Sequence, residues 1–114
     1  MTAPEERPWG HFEILYEEPN LKIKRIVVKK GKRLSLQSHE KRSENWVILR
    51  GKAVVTLGNG RAHLSPNQSI FIPVRERHRV ENVGDEDLVL IEIQTGLYLG
   101  EDDIRRYEDD FNRL

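Results

Sequence analysis

Hydrophobic and polar residues alternate along much of this chain with a period of two. The alternation is clearest at the start of residues 21–28, which read LKIKRIVV, and this period is typical of a β-strand with one buried face. Further segments of strand length, rich in β-branched or apolar residues, lie at 34–39, 44–49, 53–57, 69–72, 78–83 and 88–94. Glycine, proline and asparagine separate them at turn positions. This regularity predicts an all-β antiparallel sandwich or barrel.

The end of the chain departs from this pattern. After Gly100, the acidic residues 101–103 suit a helix N-terminus, while Ile104, Tyr107 and Phe111 recur at helical spacing. We therefore predict a short C-terminal helix over residues 101–112 that packs on the sheets. Residues 1–8 are expected to fray.

Length and composition predict one domain over residues 1–114. Lysine plus arginine number 19 and aspartate plus glutamate also 19, so the net charge provides no argument for nucleic acid or a membrane surface as partner. Cysteine is absent, which excludes thiolate chemistry and disulfides. The N-terminal residues lack the apolar core of a signal peptide, and no apolar run approaches the roughly 20 residues that cross a bilayer. The expected localisation is cytoplasmic.

Four residues are spaced as ligands for one metal ion. Gln37 and His39 are two apart on a predicted strand and therefore share a face, and Glu44 opens the next strand of a hairpin. His78 lies far downstream. Imidazole nitrogens with carboxylate or amide oxygens suit a divalent cation such as zinc, iron, manganese, cobalt or nickel.

These residues carry a resemblance to the cupin superfamily. The spacing Gly31-x5-Gln37-x-His39-x4-Glu44-x6-Gly51 resembles the first cupin motif, with glutamine where many cupins have histidine. The spacing Asn67-x5-Pro73-x4-His78-x3-Asn82 resembles the second, with Asn67 and Arg75 where glycine is usual. The resemblance implies a double-stranded β-helix, a jelly-roll barrel that holds the metal inside. We expect zinc, bound by Gln37, His39, Glu44 and His78.

A wider resemblance covers residues 7–110. The segments RPWGHFEIL, LSLQSHEKRSENW, SIFIPVRERHRVEN and LIEIQTGLYLGEDDIRRYEDD are similar to the C-terminal isomerase domain of type II phosphomannose isomerases. It implies interconversion of mannose 6-phosphate and fructose 6-phosphate through an enediolate, with the metal as electrophile. The cupin resemblance also implies a homodimer. The family's nucleotidyltransferase half is a separate domain, and this chain has neither the length nor a glycine-rich nucleotide loop for it, so we expect no guanylyl transfer.

The expected chemistry needs a phosphate-binding group and a base. Arg42 is the first candidate for the phosphate and Lys41 the second, with Arg33, Arg77 and Arg79 expected near the barrel mouth. The alternative is that these are ordinary solvated charges.

Glu92 is the first candidate base, because alternation places it and Gln94 on one face, pointing either into the barrel or to solvent. Lys41 is the second candidate for proton transfer. Trp46 shares the face of Glu44 and either stacks on a sugar or belongs to the core.

Departures from the isomerase pattern keep other functions open. Lys41 and Asn45 replace histidines that family members often carry in this loop. One alternative is a non-catalytic cupin that binds sugar phosphates. Another is a metal-dependent oxygenase, which predicts an apolar cavity beside the metal. A third is a purely structural barrel.

Overall fold

A computed structural model describes residues 3–114 as two antiparallel sheets packed face to face. The described strands are β1 (Glu5–Arg7), β2 (Gly10–Glu18), β3 (Leu21–Val28), β4 (Leu36–Ser38), β5 (Arg42–Arg50), β6 (Ala53–Leu57), β7 (Gly60–Leu64), β8 (Ser69–Ile72), β9 (His78–Asn82), β10 (Leu88–Gly96) and β11 (Arg105–Glu108). The first sheet has the order β1-β2-β3-β10-β5-β8 and the second β11-β4-β9-β6-β7. The predicted all-β fold is confirmed.

The apolar core lies between the sheets toward one end of the sandwich. Val28, Ile48, Val55, Leu88 and Leu90 are fully buried there. This burial provides most of the driving force for folding, because the free energy scales with the apolar area removed from water.

In the first sheet, the side chains that point between the sheets change from apolar to polar toward the end away from the apolar core. In β3 the buried positions are Lys22 and Lys24, while Leu21 and Ile23 are only partly buried. Lys24 lies opposite Glu92 of β10 in the strand register. Strict alternation therefore predicts the strand correctly, but here it is the polar side chains that point between the sheets.

The predicted C-terminal helix is wrong, since the described residues form no helix and residues 105–108 form strand β11. Arg105 and Arg106 pair with β4 instead. The acidic segment caps no helix, because the carboxylate of Asp103 accepts the backbone N–H groups of Glu40 and Lys41, both at 3.0 Å. These long-range contacts outweigh the helical spacing of the apolar residues.

The N-terminal segment pairs within the fold. Residues 5–7 form β1 on the edge of the first sheet, paired with β2. The expected fraying covers residues 1–8, and two of these, Met1 and Thr2, lie outside the described residues. Across residues 3–114, no helix is long and apolar enough to cross a membrane.

Candidate metal centre

Three of the predicted ligands meet between the sheets. His39 follows β4 directly, Glu44 lies on β5 and His78 begins β9. Their ligand atoms lie within 4.8 Å of one another, and all three side chains are buried, with Glu44 only 1% exposed. The cluster could hold a metal ion, because two imidazole nitrogens and one carboxylate form a common donor set for divalent cations.

Backbone carbonyls orient both imidazole rings. His39 Nδ1 lies 2.6 Å from the carbonyl oxygen of Asp103, and His78 Nδ1 lies 2.9 Å from that of Glu76. A carbonyl oxygen only accepts, so each Nδ1 carries the proton and each Nε2 keeps its lone pair. The two Nε2 atoms lie 3.4 and 3.8 Å from oxygens of Glu44. Such outer hydrogen bonds hold a histidine in its ligating tautomer.

Burial keeps the rings neutral. It lowers the pKa of His39 to about 4, with the charge of Arg42 adding to the effect. Burial also lowers the pKa of His78. Both histidines are therefore in the metal-binding form at neutral pH.

Glu44 is held by two donors from its own strand. Arg42 Nε donates to Oε2 at 2.8 Å, and Trp46 Nε1 donates to Oε1 at 3.0 Å. Trp46 is 2% exposed and belongs to the core cluster, and its ring meets that of His78 edge-on with centroids 5.5 Å apart. Its indole therefore positions a candidate ligand from within the core.

Gln37 lies beside the cluster. It pairs with His78 in the register of β4 and β9, and cross-strand partners share a face. Its amide nitrogen donates to Ser35 Oγ at 3.0 Å. The side-chain carbonyl oxygen is thus the atom that Gln37 would offer to a cation.

A cavity of about 120 Å³ adjoins this cluster and is bordered by Gln37 and Arg42. Most charged residues in its wall are cations: Arg7, Lys24, Arg42, Arg106 and Arg113, against Glu92 and Glu101. Lys24 Nζ donates to Glu101 Oε1 at 2.5 Å. A cation-rich wall does not match the apolar cavity that the oxygenase alternative predicts.

Glu92 faces the interior, one of the two orientations left open by the sequence. It is 6% exposed, it accepts a hydrogen bond from Gln94 Nε2 at 2.5 Å, and it lines the cavity. Burial raises the pKa of Glu92, and the charge of Glu44 raises it further.

The other predicted substrate residues are spread over the surface or paired elsewhere. Lys41 is exposed, with Nζ 5.1 Å from the ring centre of Tyr98. Arg77 is exposed over the Tyr107 ring. Arg33 pairs with Asp110 at 2.8 Å, and Arg79 pairs with Glu108 at 3.0 Å. Among the five predicted cations, Arg42 alone lines the described cavity.

Several residues near the cavity were missed by sequence reasoning. Lys24 was detectable, since it alternates in phase with Lys22 between the apolar residues Leu21 and Ile23. Glu101, Asp103, Arg106 and Arg113 carry no such signal. They reach the site through the loop after β10, through β11 and through the segment after β11. All but Arg113 lie in the region mispredicted as a helix.

The fold and site define a cupin domain with a metal-capable cluster. The cupin domain of Cnp3 from Schizosaccharomyces pombe superposes with a TM-score of 0.73 at 18% identity, covering 75% of this chain and 64% of that one. At this identity the likeness shows the fold alone. It confirms the cupin barrel predicted from the two motifs.

The chain belongs to the family described as Mannose-6-phosphate isomerase C-terminal, which matches residues 3–109. It is 47% identical over 107 residues to the xanthan biosynthesis protein XanB of Xanthomonas campestris pv. campestris, covering 94% of this chain and 23% of that protein. It is 46% identical over 107 residues to a mannose-1-phosphate guanylyltransferase of Escherichia coli, with the same coverage. The chain thus spans about a quarter of these curated relatives, and they place it in an enzyme family of mannose metabolism.

The comparisons correct the predicted function. The prediction of a stand-alone isomerase of mannose 6-phosphate is wrong on these findings. The relatives are named as a guanylyltransferase and a polysaccharide biosynthesis protein, and the match is to one domain within them. The identity of the metal and the predicted homodimer are left as predictions.

Proposed function

We propose that this chain is the metal-binding cupin domain of a mannose-phosphate-metabolising enzyme, and that it binds a phosphorylated mannose beside its metal. The observation that carries the proposal is the continuity of the metal-capable cluster with a cation-lined cavity, since Gln37 and Arg42 border the cavity and Arg42 contacts the ligand candidates His39 and Glu44. The relatives' names supply the sugar.

In this proposal His39, Glu44 and His78 hold the cation, and Gln37 adds its carbonyl oxygen. Zinc is the first metal to test, because it accepts this mixture of nitrogen and oxygen donors. With Glu44 as the sole charged ligand, a bound dication would supply a positive centre that attracts sugar oxygens and a phosphate. The guanylyl transfer named for a relative is not carried over to this chain.

Arg42 is the proposed contact for the anionic ligand. Its Nη1 is buried and has no hydrogen-bond partner, and the nearest recorded carboxylate oxygen, on Glu101, lies at 3.8 Å. A buried guanidinium N–H without a partner is costly. A phosphate oxygen in the cavity would satisfy it.

The test measures metal and sugar binding separately. Metal content is determined by mass spectrometry for the wild type, His78→Ala and the matched control His63→Ala, whose histidine is exposed on β7. We expect bound metal to fall to near zero only in His78→Ala. Calorimetry then measures binding of mannose 1-phosphate, mannose 6-phosphate and mannose to metal-loaded and chelator-treated protein.

Phosphorylated mannose should bind the metal-loaded protein at least tenfold more tightly than it binds the chelator-treated protein. Equal binding by both forms would refute the proposed role of the metal. Retention of metal by His78→Ala would refute the proposed ligand set. Light scattering on the same samples tests the predicted homodimer.

A further inference from the structure

Three arginines from the two ends of the chain line the cavity together. Arg7 ends β1 and Arg106 lies on β11, while Arg113 belongs to the segment after β11. Strand β1 lies at one edge of the first sheet, and β11 lies at one edge of the second. The cavity is therefore flanked by one edge of each sheet, and each of these edges contributes a guanidinium to it.

The strand register places Arg106 in line with the candidate metal ligands. Arg106 pairs with Gln37, and Gln37 pairs with His78. Residues directly opposite one another project from the same face of an antiparallel sheet. Because neighbouring strands are about 5 Å apart, the backbone of Arg106 lies about 10 Å from that of His78. That spacing leaves room for a sugar between a metal at His78 and an anion at Arg106.

The positive charges near Arg106 are incompletely compensated. Its Nε is buried without a hydrogen-bond partner. Burial lowers the pKa of Arg106, and the charges of Arg113 and Arg7 lower it further, against opposing effects of Asp109 and Glu101.

The nearby carboxylates are already in use. Arg113 donates two hydrogen bonds to the carboxylate of Asp109 in a bidentate ion pair, at 2.7 and 3.0 Å. Glu101 is bound by Lys24 at 2.5 Å. Arg7 has its own contacts, to the carbonyl oxygen of Glu6 at 2.8 Å, to the Phe12 ring and to the carboxylate of Glu5 at 3.6 Å. Like charges gathered around a cavity repel one another, and this arrangement favours an external anion.

We infer that Arg106, flanked by Arg7 and Arg113, forms the phosphate subsite of the cavity, opposite the metal-capable cluster. The inference rests on the proposed function and assigns the two ends of the ligand. The sugar hydroxyls face Gln37 and His78, and the phosphate lies between Arg106 and the unpaired Nη1 of Arg42, which both line the cavity. Guanidinium groups suit this role because their planar donors match phosphate oxygens in pairs.

The experiment compares Arg106→Gln with Arg105→Gln. Arg105 is the neighbouring residue on β11, but it is exposed and does not line the cavity. Each variant removes one positive charge from the same strand, β11. Calorimetry on zinc-loaded protein measures binding of inorganic phosphate, mannose 1-phosphate and mannose, while melting temperature and metal content report on folding and the metal site.

We expect Arg106→Gln to lower the affinity for inorganic phosphate and for mannose 1-phosphate by about tenfold or more. Mannose binding and metal content should be unchanged. Arg105→Gln should bind all three probes like the wild type. Without phosphate, Arg106→Gln should melt at or above the wild-type temperature, because the substitution relieves repulsion. Phosphate should raise the melting temperature of the wild type more than that of Arg106→Gln.

Equal phosphate binding by the two variants would overturn the inference. If Arg106→Gln melts well below the wild type, Arg113→Gln replaces it in the same comparison, and unchanged phosphate binding there overturns the inference. Failure of the proposed function would give a different result. If phosphate binding depends on Arg106 but not on the metal, the proposed role of the metal is refuted and the phosphate subsite is still supported.

Discussion

Replacing Arg42 with glutamine should change the stability of the metal-free protein and its response to metal in opposite directions. Arg42 Nε donates to Glu44 Oε2 at 2.8 Å, and Nη2 lies 3.3 Å from His39 Nε2. The guanidinium thus contacts two of the atoms that a cation would need. In the metal-free protein it neutralises Glu44, and it competes with metal for the same lone pairs.

The cost to the metal-free protein follows from burial. Arg42 is 5% exposed and Glu44 1%, and removing one partner of a buried ion pair costs about 3–5 kcal/mol. For a chain of 114 residues the entropy of unfolding is about 0.24 kcal/mol/K. The melting temperature of Arg42→Gln should therefore fall by about 12–20 °C.

Arg50→Gln is the matched control, because Arg50 forms an exposed ion pair with Glu86 at 3.1 Å. An exposed pair contributes about 0–1 kcal/mol, so this variant should melt within about 4 °C of the wild type. Comparing the two variants distinguishes the effect of removing a buried charge from the effect of removing an exposed arginine.

Zinc should reverse the defect of Arg42→Gln. Without the competing guanidinium, Glu44 and His39 are free to bind the cation, whose charge replaces that of Arg42. Scanning calorimetry of chelator-treated and zinc-loaded samples should show a larger zinc-induced rise in melting temperature for Arg42→Gln than for the wild type. Two results would contradict this prediction: metal-free Arg42→Gln melting within about 4 °C of the wild type, or zinc raising its melting temperature less than that of the wild type.

Other predictions concern pH, a close backbone approach and the loop beside the site. The pKa of His39 is about 4 in the folded protein, against an ordinary value of 6.5, so the unfolded chain takes up the proton first as pH falls. Urea unfolding of metal-free protein should show stability falling between pH 6.5 and 4 by about 3 kcal/mol in total, and His39→Gln should remove that part of the dependence. Gly96→Ala should destabilise by about 1–3 kcal/mol in urea unfolding, because a Cβ would lie 2.3 Å from the Lys41 carbonyl oxygen; Gly60→Ala, with a nearest atom at 3.5 Å, should cost less. Asp103→Ala should lower the melting temperature and weaken zinc binding about tenfold, because it frees two loop amides beside His39; unchanged zinc binding would contradict this.

The strands and the ligand cluster were predictable because their signals are local. Alternation identifies a strand from its own residues, and a two-residue spacing places Gln37 and His39 on one face whatever lies around them. The turns also agree with the motif resemblance. Asn67 and Arg75, which stand where glycine is usual, have φ angles of 74° and 67°, so the backbone keeps a conformation that favours glycine.

The region around β11 was not predictable in the same way. The spacing of Ile104, Tyr107 and Phe111 indicates a helix only if the segment forms its own hydrogen bonds. In the fold, Arg106 pairs with Gln37 and the Tyr107 hydroxyl lies 2.9 Å from Ser38 Oγ. Pairing with partners this far away in the chain cannot be detected from the residues of the segment itself. The cations that this segment brings to the cavity were therefore missed.

The charges around the site link metal binding to anion binding. The buried cations on the interior of the first sheet are Lys22, Lys24 and Arg42, and the carboxylates near them are Glu17, Glu44, Glu92 and Glu101. With all of these groups charged, the carboxylates outnumber the cations by one, so a bound dication makes the net charge of the site positive. That positive charge favours a phosphate group.

Because Glu44 can pair with either Arg42 or the metal, we expect metal binding to free the guanidinium for the phosphate. The two ligands should therefore bind cooperatively, and linkage requires that phosphorylated mannose raise the affinity for zinc by the same factor by which zinc raises the affinity for the sugar.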